Sequence, residues 1–274
     1  MKFFVFGGGL GNQLFQYSYY SYLKKEDPSE KILGVYPDSQ MAHNGIEIDK
    51  WFDVELPPTS YLSNKLGILL YRINRFLYYR KCRLLFCNRT YPQSTEYFFQ
   101  WGNWQNYSIV KQINAIDFRP NLHLGKENVE ILEKMNACNS VSVHVRRGDY
   151  LKTNLKHIYG GICTPEYYQK AIKIMIQRVE NPVFFFFSDD YLYIEKKFTN
   201  IKNKVIVSHN RDDRSFFDLY LMAHTQNMIL ANSTFSCWAA YLNKTAKIII
   251  TPDRWMNSLS KLEALPDEWI KIHM

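Results

Sequence analysis

Cysteine is scarce and without pattern. The five present (Cys82, Cys87, Cys138, Cys163 and Cys237) are an odd number with no C-x-x-C pair, which argues against a zinc site or a disulfide framework and fits a reducing compartment. Long apolar runs are missing as well. The chain opens MKFFVFGGGLGNQ, and glycines end the apolar stretch too early for a signal peptide or a membrane span, so a cytoplasmic location is expected. The greasiest stretch, LGILLYRINRFLYY at 66–79, contains Arg72 and Arg75 and predicts an amphipathic helix. Its basic face reads as solvated, with a peripheral contact at the inner membrane as the alternative. There is no internal repeat and no low-complexity tract.

What is present describes a folded protein. Hydrophobic residues make up 46% and aromatics 16% of 274 residues, and a chain of this length sits near the size at which one core splits into two lobes. Twenty tyrosines and six tryptophans supply core material or, alternatively, faces on which sugar rings stack. The formal net charge of +8 favours anionic partners: nucleic acid, an acidic membrane surface or a phosphorylated small molecule. Because the 34 basic residues are dispersed among 26 acidic ones, with no concentrated stripe, a nucleic-acid partner is not expected.

The second half alternates apolar runs with helical patterns. Strands are predicted at Val141–Val145, Val183–Phe187, Val205–Ser208, Met228–Ala231 and Lys247–Thr251, and helices near 165–180, 190–199, 214–226 and 234–243. Continuous runs such as VFFFF suggest strands covered on both faces, as in parallel sheets. Thr164, Pro165 and Glu166 mark one helix start. The result is a β/α repeat of Rossmann type, whose ligand lies beyond the carboxyl ends of the strands. The first half opens with a strand at Lys2–Phe6, a glycine loop, a helix from about Asn12 to Lys25 and a strand at Ile32–Tyr36. Beyond that its rhythm is less clear. The boundary between lobes falls in the stretch 120–138 and is set at 130.

Candidate chemistry sits at the strand tips. In VSVHVRRGDYL (141–151) alternation places His144 and Arg146 on one face and Val145 and Arg147 on the other. Guanidinium forks at a strand end suit phosphate; pairing with carboxylates on neighbouring elements is the alternative. FFFFSDD ends in Ser188, Asp189 and Asp190, where a carboxylate suits the N–H donors of a guanine or, with its neighbour, a metal, although Asp190 also reads as a helix N-cap. ANSTFS (231–236) leads into a helix whose first amides and hydroxyls suit an anion, or simply cap the helix. The loop GGGLGNQ (7–13) is neither G-x-G-x-x-G, since Asn12 stands where the third glycine belongs, nor a Walker A loop. It brings Asn12 and Gln13 to a helix start, or is only a tight turn.

GGLGNQLFQYSYYSYL, VSVHVRRGDY, FFFFSDD and LANSTFSCWAAYL together resemble, in order and spacing, the motifs of bacterial α-1,2-fucosyltransferases. The H-x-R-R-G-D-Y element is also similar to one in α-1,6- and protein O-fucosyltransferases. The resemblance runs from residue 7 to 242. It implies an α/β, GT-B-like fold with two Rossmann-like lobes facing each other across a cleft: an acceptor-side lobe at 1–130 and a nucleotide-sugar lobe at 131–274, with the last helix packing back on the first lobe. It implies inverting transfer of fucose from GDP-β-L-fucose to the 2-hydroxyl of a galactose-containing glycan, with no metal and no cofactor. By similarity, His144 lies beside the nucleoside, Arg146 on the β-phosphate, Asp189 on the guanine, and Ser233, Thr234 and Phe235 around the pyrophosphate. Arg147 and Ser236 complete that set, while Asn12 and Gln13 face the fucose or pyrophosphate from the other lobe. One departure is that Gly102, Trp104 and Gln105 are followed by NYSIV and not by the polar string usual in the family.

Departing GDP gains negative charge, which Arg146 and a helix N-terminus can take up in place of a metal. The adjacent aspartates do not have the D-x-D spacing that metal-dependent glycosyltransferases use. Asp149 is the candidate base, with bonding to its own turn or to Arg147 as the alternative. A fucosyltransferase of other linkage and a non-catalytic glycan-binding protein are the competing readings.

Overall fold

Short runs of Val, Ile and Phe separated by amphipathic helices build two parallel sheets in this computed structural model, which describes residues 1–37, 44–80, 87–88, 97–113, 116–258 and 263–274, with backbone alone at 87–88 and 153–154. The chain divides into two units, Met1–Leu122 and His123–Met274. The division falls within the predicted stretch and ahead of residue 130.

The first unit runs β1 (Lys2–Val5), α1 (Leu10–Glu26), β2 (Ile32–Val35), α2 (Ile48–Trp51), α3 (Tyr61–Tyr79), β3 (Cys87–Asn88), β4 (Phe99–Gln100) and α4 (Tyr107–Val110). Its sheet has the order β2-β1-β4-β3 with every pairing parallel. Side chains alternate along β1, so Phe4 and Phe6 pack with Tyr19 and Leu23 of α1 and with Trp104. Phe3 and Val5 pack on the other side with Val35, Tyr71 of α3 and Phe99. Burial on both faces explains why this strand is apolar without interruption. The Ser60 hydroxyl caps α3 by accepting from the Ser63 amide, and the Ser63 side chain answers at the Ser60 amide. This helix comes close to β2 at Gly67, where a methyl group would lie 2.3 Å from Val35 Cγ2.

The second unit runs α5 (Lys126–Asn136), β5 (Ser140–Val145), α6 (Thr153–Tyr159), α7 (Pro165–Arg178), β6 (Val183–Ser188), α8 (Tyr191–Lys197), β7 (Lys204–Val207), α9 (Phe216–Met222), β8 (Asn227–Ile229), α10 (Thr234–Leu242), β9 (Ile248–Pro252) and β10 (Ile270–Ile272). All strands are parallel, in the order β10-β9-β8-β5-β6-β7. Numbered within the unit this is the 3-2-1-4-5-6 arrangement of a Rossmann fold, read from the other edge. Val141, Val143, Val145, Phe184 and Phe186 face α7 and α8 in one core cluster, leaving Ser142 and His144 to the opposite side. Thr164 caps α7, accepting from the Tyr167 amide, and Pro165 takes the first helical position. Past α10 the described chain forms only the strands β9 and β10, where a final helix had been expected.

The contact at Gly67 decides between two opposed terms. Replacing a mid-helix glycine by alanine gains about 1 kcal/mol of helix propensity, whereas overpacking a buried site costs about 1–3 kcal/mol. With Val35 fully buried there is little room to yield. Gly67→Ala is therefore expected to lower the Tm by several degrees in a thermal melt, and a raised Tm would show that Val35 moves aside.

Candidate active site

In a doubly wound sheet, ligands bind beyond the carboxyl ends of the strands where the order reverses. In the second unit that place lies between β5 and β8, which are neighbours in the sheet while their chains continue to opposite edges. The three tips chosen from the sequence end on β8, β5 and β6, side by side. Contacts tie them together: Arg146 to Asp189 joins β5 to β6. The Tyr150 hydroxyl donates to the Asn232 carbonyl at 3.0 Å and the His144 ring lies 5.8 Å from that of Phe235, which joins β5 to the start of α10.

The guanidinium of Arg146 is held from two sides. One terminal nitrogen pairs with Asp149 Oδ1 at 2.8 Å and the other with Asp189 Oδ2 at 3.1 Å, and the group lies 5.7 Å from the Tyr150 ring centre. Both contacts are ion pairs between one terminal nitrogen and one carboxylate oxygen, so part of the five-donor guanidinium is left for a further partner. Asp189 also accepts from the Arg147 amide at 2.9 Å. A side chain on Gly148 would reach within 2.5 Å of its Oδ2, so the glycine lets this carboxylate close on the β5 tip. Asp149, singled out as the base, bonds to Arg146 and not to Arg147.

Arg147 takes a different course from its neighbour. Its Nε donates to Asp190 Oδ2 at 3.0 Å and its guanidinium stacks 3.6 Å above the Tyr193 ring, on the α8 side of the sheet. Expected to bind substrate, this side chain is placed by the structure where its Nε fastens β5 to α8. Asp190 also caps α8, accepting from the Tyr193 amide. The alternative reading of carboxylate-paired arginines describes what the tip looks like. Two guanidiniums meet Asp149, Asp189 and Asp190, so the tip is not a bare cationic patch.

His144 is 6% exposed, and its Nδ1 is buried without a hydrogen-bond partner. Burial, with the nearby Arg146 charge second, pushes its pKa down to about 3, so the ring is neutral at ordinary pH. Tyr168 donates to the His144 carbonyl and Ser188 to the Val145 carbonyl, which fixes the strand end. Ser233 caps α10, its hydroxyl accepting from the Phe235 amide. Thr234 and Phe235 are half-buried on the rim. Ser236 is fully buried and donates to the Ala231 and Ser233 carbonyls at 3.5 and 3.4 Å. Expected in the binding set, it has its hydroxyl turned to the carbonyls that precede and open the helix.

The first unit carries its loops at the corresponding reversal, between β1 and β4. Gln13 is completely buried; its Nε2 donates to the Gly8 and Gly45 carbonyls and its Oε1 accepts from the Glu47 and Ile48 amides. All four positions of the amide are used, so Gln13, expected to face the substrate, holds the glycine loop to the Gly45–Ile48 segment. Asn12 is half-buried, and its Oδ1 accepts from Gln105 Nε2 at 3.3 Å. That bond joins the glycine loop to the Gly102–Gln105 loop. Trp104, in a left-handed backbone (φ 44), stacks on Tyr19 at 4.6 Å, and this packing holds the strained turn beside Gln105.

Sequence reasoning passed over Tyr150, Tyr159 and Asn232. Tyr150 and Tyr159 stack at 4.9 Å, and Asn232 donates to the Tyr159 and Trp255 carbonyls. Tyr150 and Asn232 stood inside the quoted motifs without being assigned a role, and nothing in the sequence marked Tyr159. Also missed is a polar cluster in which Asn210 donates to Asn128 and to Asp218; nothing in the spacing joins residues that far apart. Among the described residues no group of three His, Cys, Asp or Glu has the geometry to hold a metal ion.

Residues 6–273 match Glycosyl transferase family 11, and the chain belongs to that family. It is 30% identical to an alpha-1,2-colitosyltransferase of Escherichia coli, over 97% of this chain and 96% of that protein. It is 35% identical to the O-antigen biosynthesis glycosyltransferase WbnK of Escherichia coli over 136 residues, 49% of this chain and 45% of that protein. The structure of NodZ alpha-1,6-fucosyltransferase soaked with GDP-fucose superposes with a TM-score of 0.52 at 13% identity, covering 92% of this chain and 94% of that one. The chain is thus a glycosyltransferase with a GT-B-like fold of two Rossmann-like units.

The depressed His144 has a stability consequence. The unfolded chain takes up this proton near pH 6.5 and the folded chain only near 3, so the residue's contribution is complete above 6.5 and is lost as pH falls towards 3. Asp218 works in the opposite sense, because burial outweighs the Asn210 hydrogen bond and raises its carboxyl from 3.8 to about 7. Chemical denaturation of wild type and His144→Asn separates the two. Between pH 7.5 and 5 the variant should gain up to about 2 kcal/mol relative to wild type, and a difference that does not change with pH would contradict a buried neutral imidazole.

Proposed function

We propose that this glycosyltransferase moves L-fucose from GDP-β-L-fucose to the 2-hydroxyl of a galactose unit in a glycan, with inversion and without a metal ion. The observation that carries the reading is Arg146, aimed by Asp149 and Asp189 at the reversal point of a Rossmann sheet and next to the first turn of α10. In the reaction the acceptor oxygen bonds to the sugar's anomeric carbon as the bond to the β-phosphate oxygen breaks. The electron pair leaves with GDP, and the hydroxyl proton passes to a base or to water on the opposite face. The spare N–H groups of Arg146 and the first amides of α10 take up the charge that develops on the diphosphate. Asp189 and the face of His144 serve the guanine nucleoside, Thr234 and Phe235 the pyrophosphate, and Asn12 the sugar. Asp149, already committed to Arg146, serves to orient that guanidinium.

The relative named as an alpha-1,2-colitosyltransferase supports a second reading. Colitose is fucose without its 3-hydroxyl, so a GDP-linked 3-deoxy sugar fits the same diphosphate site and differs only in what meets that position. Side-by-side turnover of the two donors on a panel of galactosides, with linkage assigned by NMR, separates these readings. A product substituted anywhere but at the 2-hydroxyl ends the α-1,2 proposal.

Arg146→Lys keeps the charge and loses the fork. It is expected to reduce transfer by about 100- to 1,000-fold with the melting temperature little changed, and near-normal turnover would remove Arg146 from the chemistry. GDP should raise the melting temperature equally with and without EDTA, and a rise abolished by EDTA would show that a metal takes part.

A further inference from the structure

Helix α3 in the first unit is apolar on the side that ought to be polar. Its inward face is Gly67, Tyr71 and Asn74, all buried, with Ile68 and Leu70 packed against the Val5, Val35 and Phe99 cluster. On the opposite face Leu62, Leu66, Leu69, Ile73 and Phe76 are 77, 49, 55, 41 and 56% exposed. Their spacing of four, three, four and three residues makes one continuous stripe along the helix. Single exposed apolar side chains need no explanation, but a stripe of five on one helix does.

The charges beside the stripe have one sign. Lys65 and Arg72 flank it, Arg75 lies further round and Arg80 closes the end, while no aspartate or glutamate occurs anywhere from 60 to 80. Tyrosines stand at both ends, Tyr61 72% and Tyr79 71% exposed, and three of the cations sit over aromatic rings, Lys65 over Tyr61, Arg75 over Tyr79 and Arg80 over Phe76. Two copies of this helix face to face would set cation against cation with no carboxylate to answer. A surface of negative charge over an apolar interior meets both halves of the pattern. No helix among the described residues is long and apolar enough to cross a bilayer, and lying in the interface requires no such length.

We propose that α3 lies flat on an anionic lipid surface, its Leu62–Phe76 stripe inserted among the acyl chains and Lys65, Arg72, Arg75 and Arg80 at the headgroups. The stripe lies on the side of α3 turned away from the β1–β2 core, so docking leaves the packing of the sheet untouched. The attraction is partly Coulombic and shortens its reach as salt rises, from about 10 Å at 0.1 M to about 3 Å at 1 M.

The test is flotation of the whole chain with vesicles of phosphatidylcholine alone or mixed equally with phosphatidylglycerol, together with light scattering for oligomeric state. Wild type should float with the mixed vesicles and not with the neutral ones, and should be released by 1 M salt. The triple variant Leu66→Ser, Leu69→Ser, Ile73→Ser and the double variant Lys65→Glu, Arg72→Glu should each bind the mixed vesicles at least ~10-fold more weakly, the first for lost apolar insertion and the second for lost attraction. Phe76→Trp gives a reading that needs no disruptive change: its fluorescence should shift to the blue and be quenched by brominated lipid. Three outcomes overturn the proposal: wild type failing to float with phosphatidylglycerol, equal binding to neutral vesicles, or a dimer in solution that the triple variant dissolves while no vesicle binding occurs. The last would assign the stripe to a second copy of this chain.

Discussion

Strand β5 is buried along its whole length and is hydrogen-bonded on both sides, to β6 and to β8. Residues inside such a strand have their backbone positions fixed by the sheet, and residue 146 is the first beyond it. Everything at the candidate site follows from where the sheet lets go. His144, the last member of its face still in the strand, is trapped against α10 with a neutral ring. Arg146 emerges on the same face and is caught at once by Asp149 and Asp189, whereas Arg147, one residue later and on the other face, is carried to α8. Adjacent arginines with the same charge thus receive different tasks from the pleat alone.

Much of this was legible in the sequence because it depends on short-range regularities. The alternation in VSVHVRR separates Arg146 from Arg147, continuous apolar runs mark strands covered on both faces, and T-P-E marks the start of α7. The parallel sense of strands β5 to β9 follows from a β/α rhythm that the second unit keeps as far as β9. In the first unit β3 and β4 have two residues each, too short for any periodicity to register, so the loops around Trp104 read as irregular.

Pairings between distant residues were not legible. Gln13 looked like a ligand contact because it follows a glycine loop. Its amide is consumed by the Gly45–Ile48 segment, a partner that no local pattern announces. Ser236 looked like an exposed hydroxyl because serines cluster at 233 and 236, but one helical step turns it inward. The positive charge at the β5 tip was visible and its neutralisation stood as an alternative, but the partners Asp189 and Asp190, some forty residues downstream, were not named by any local pattern. In each case the sequence shows a group's chemistry, and the fold decides whether that group is already spoken for.

The carboxylates around Arg146 also bear on how readily the site empties. Any anion that occupies this guanidinium competes with two side chains attached to the same scaffold, and on its departure they take back the donors without waiting for water to solvate them. An internal rival of this kind weakens retention of a small anion more than it hinders capture of a larger molecule that has other contacts. Under the proposed function, Asp149 and Asp189 would limit how long a released diphosphate lingers at Arg146, and turnover would gain from a grip that is never exclusive.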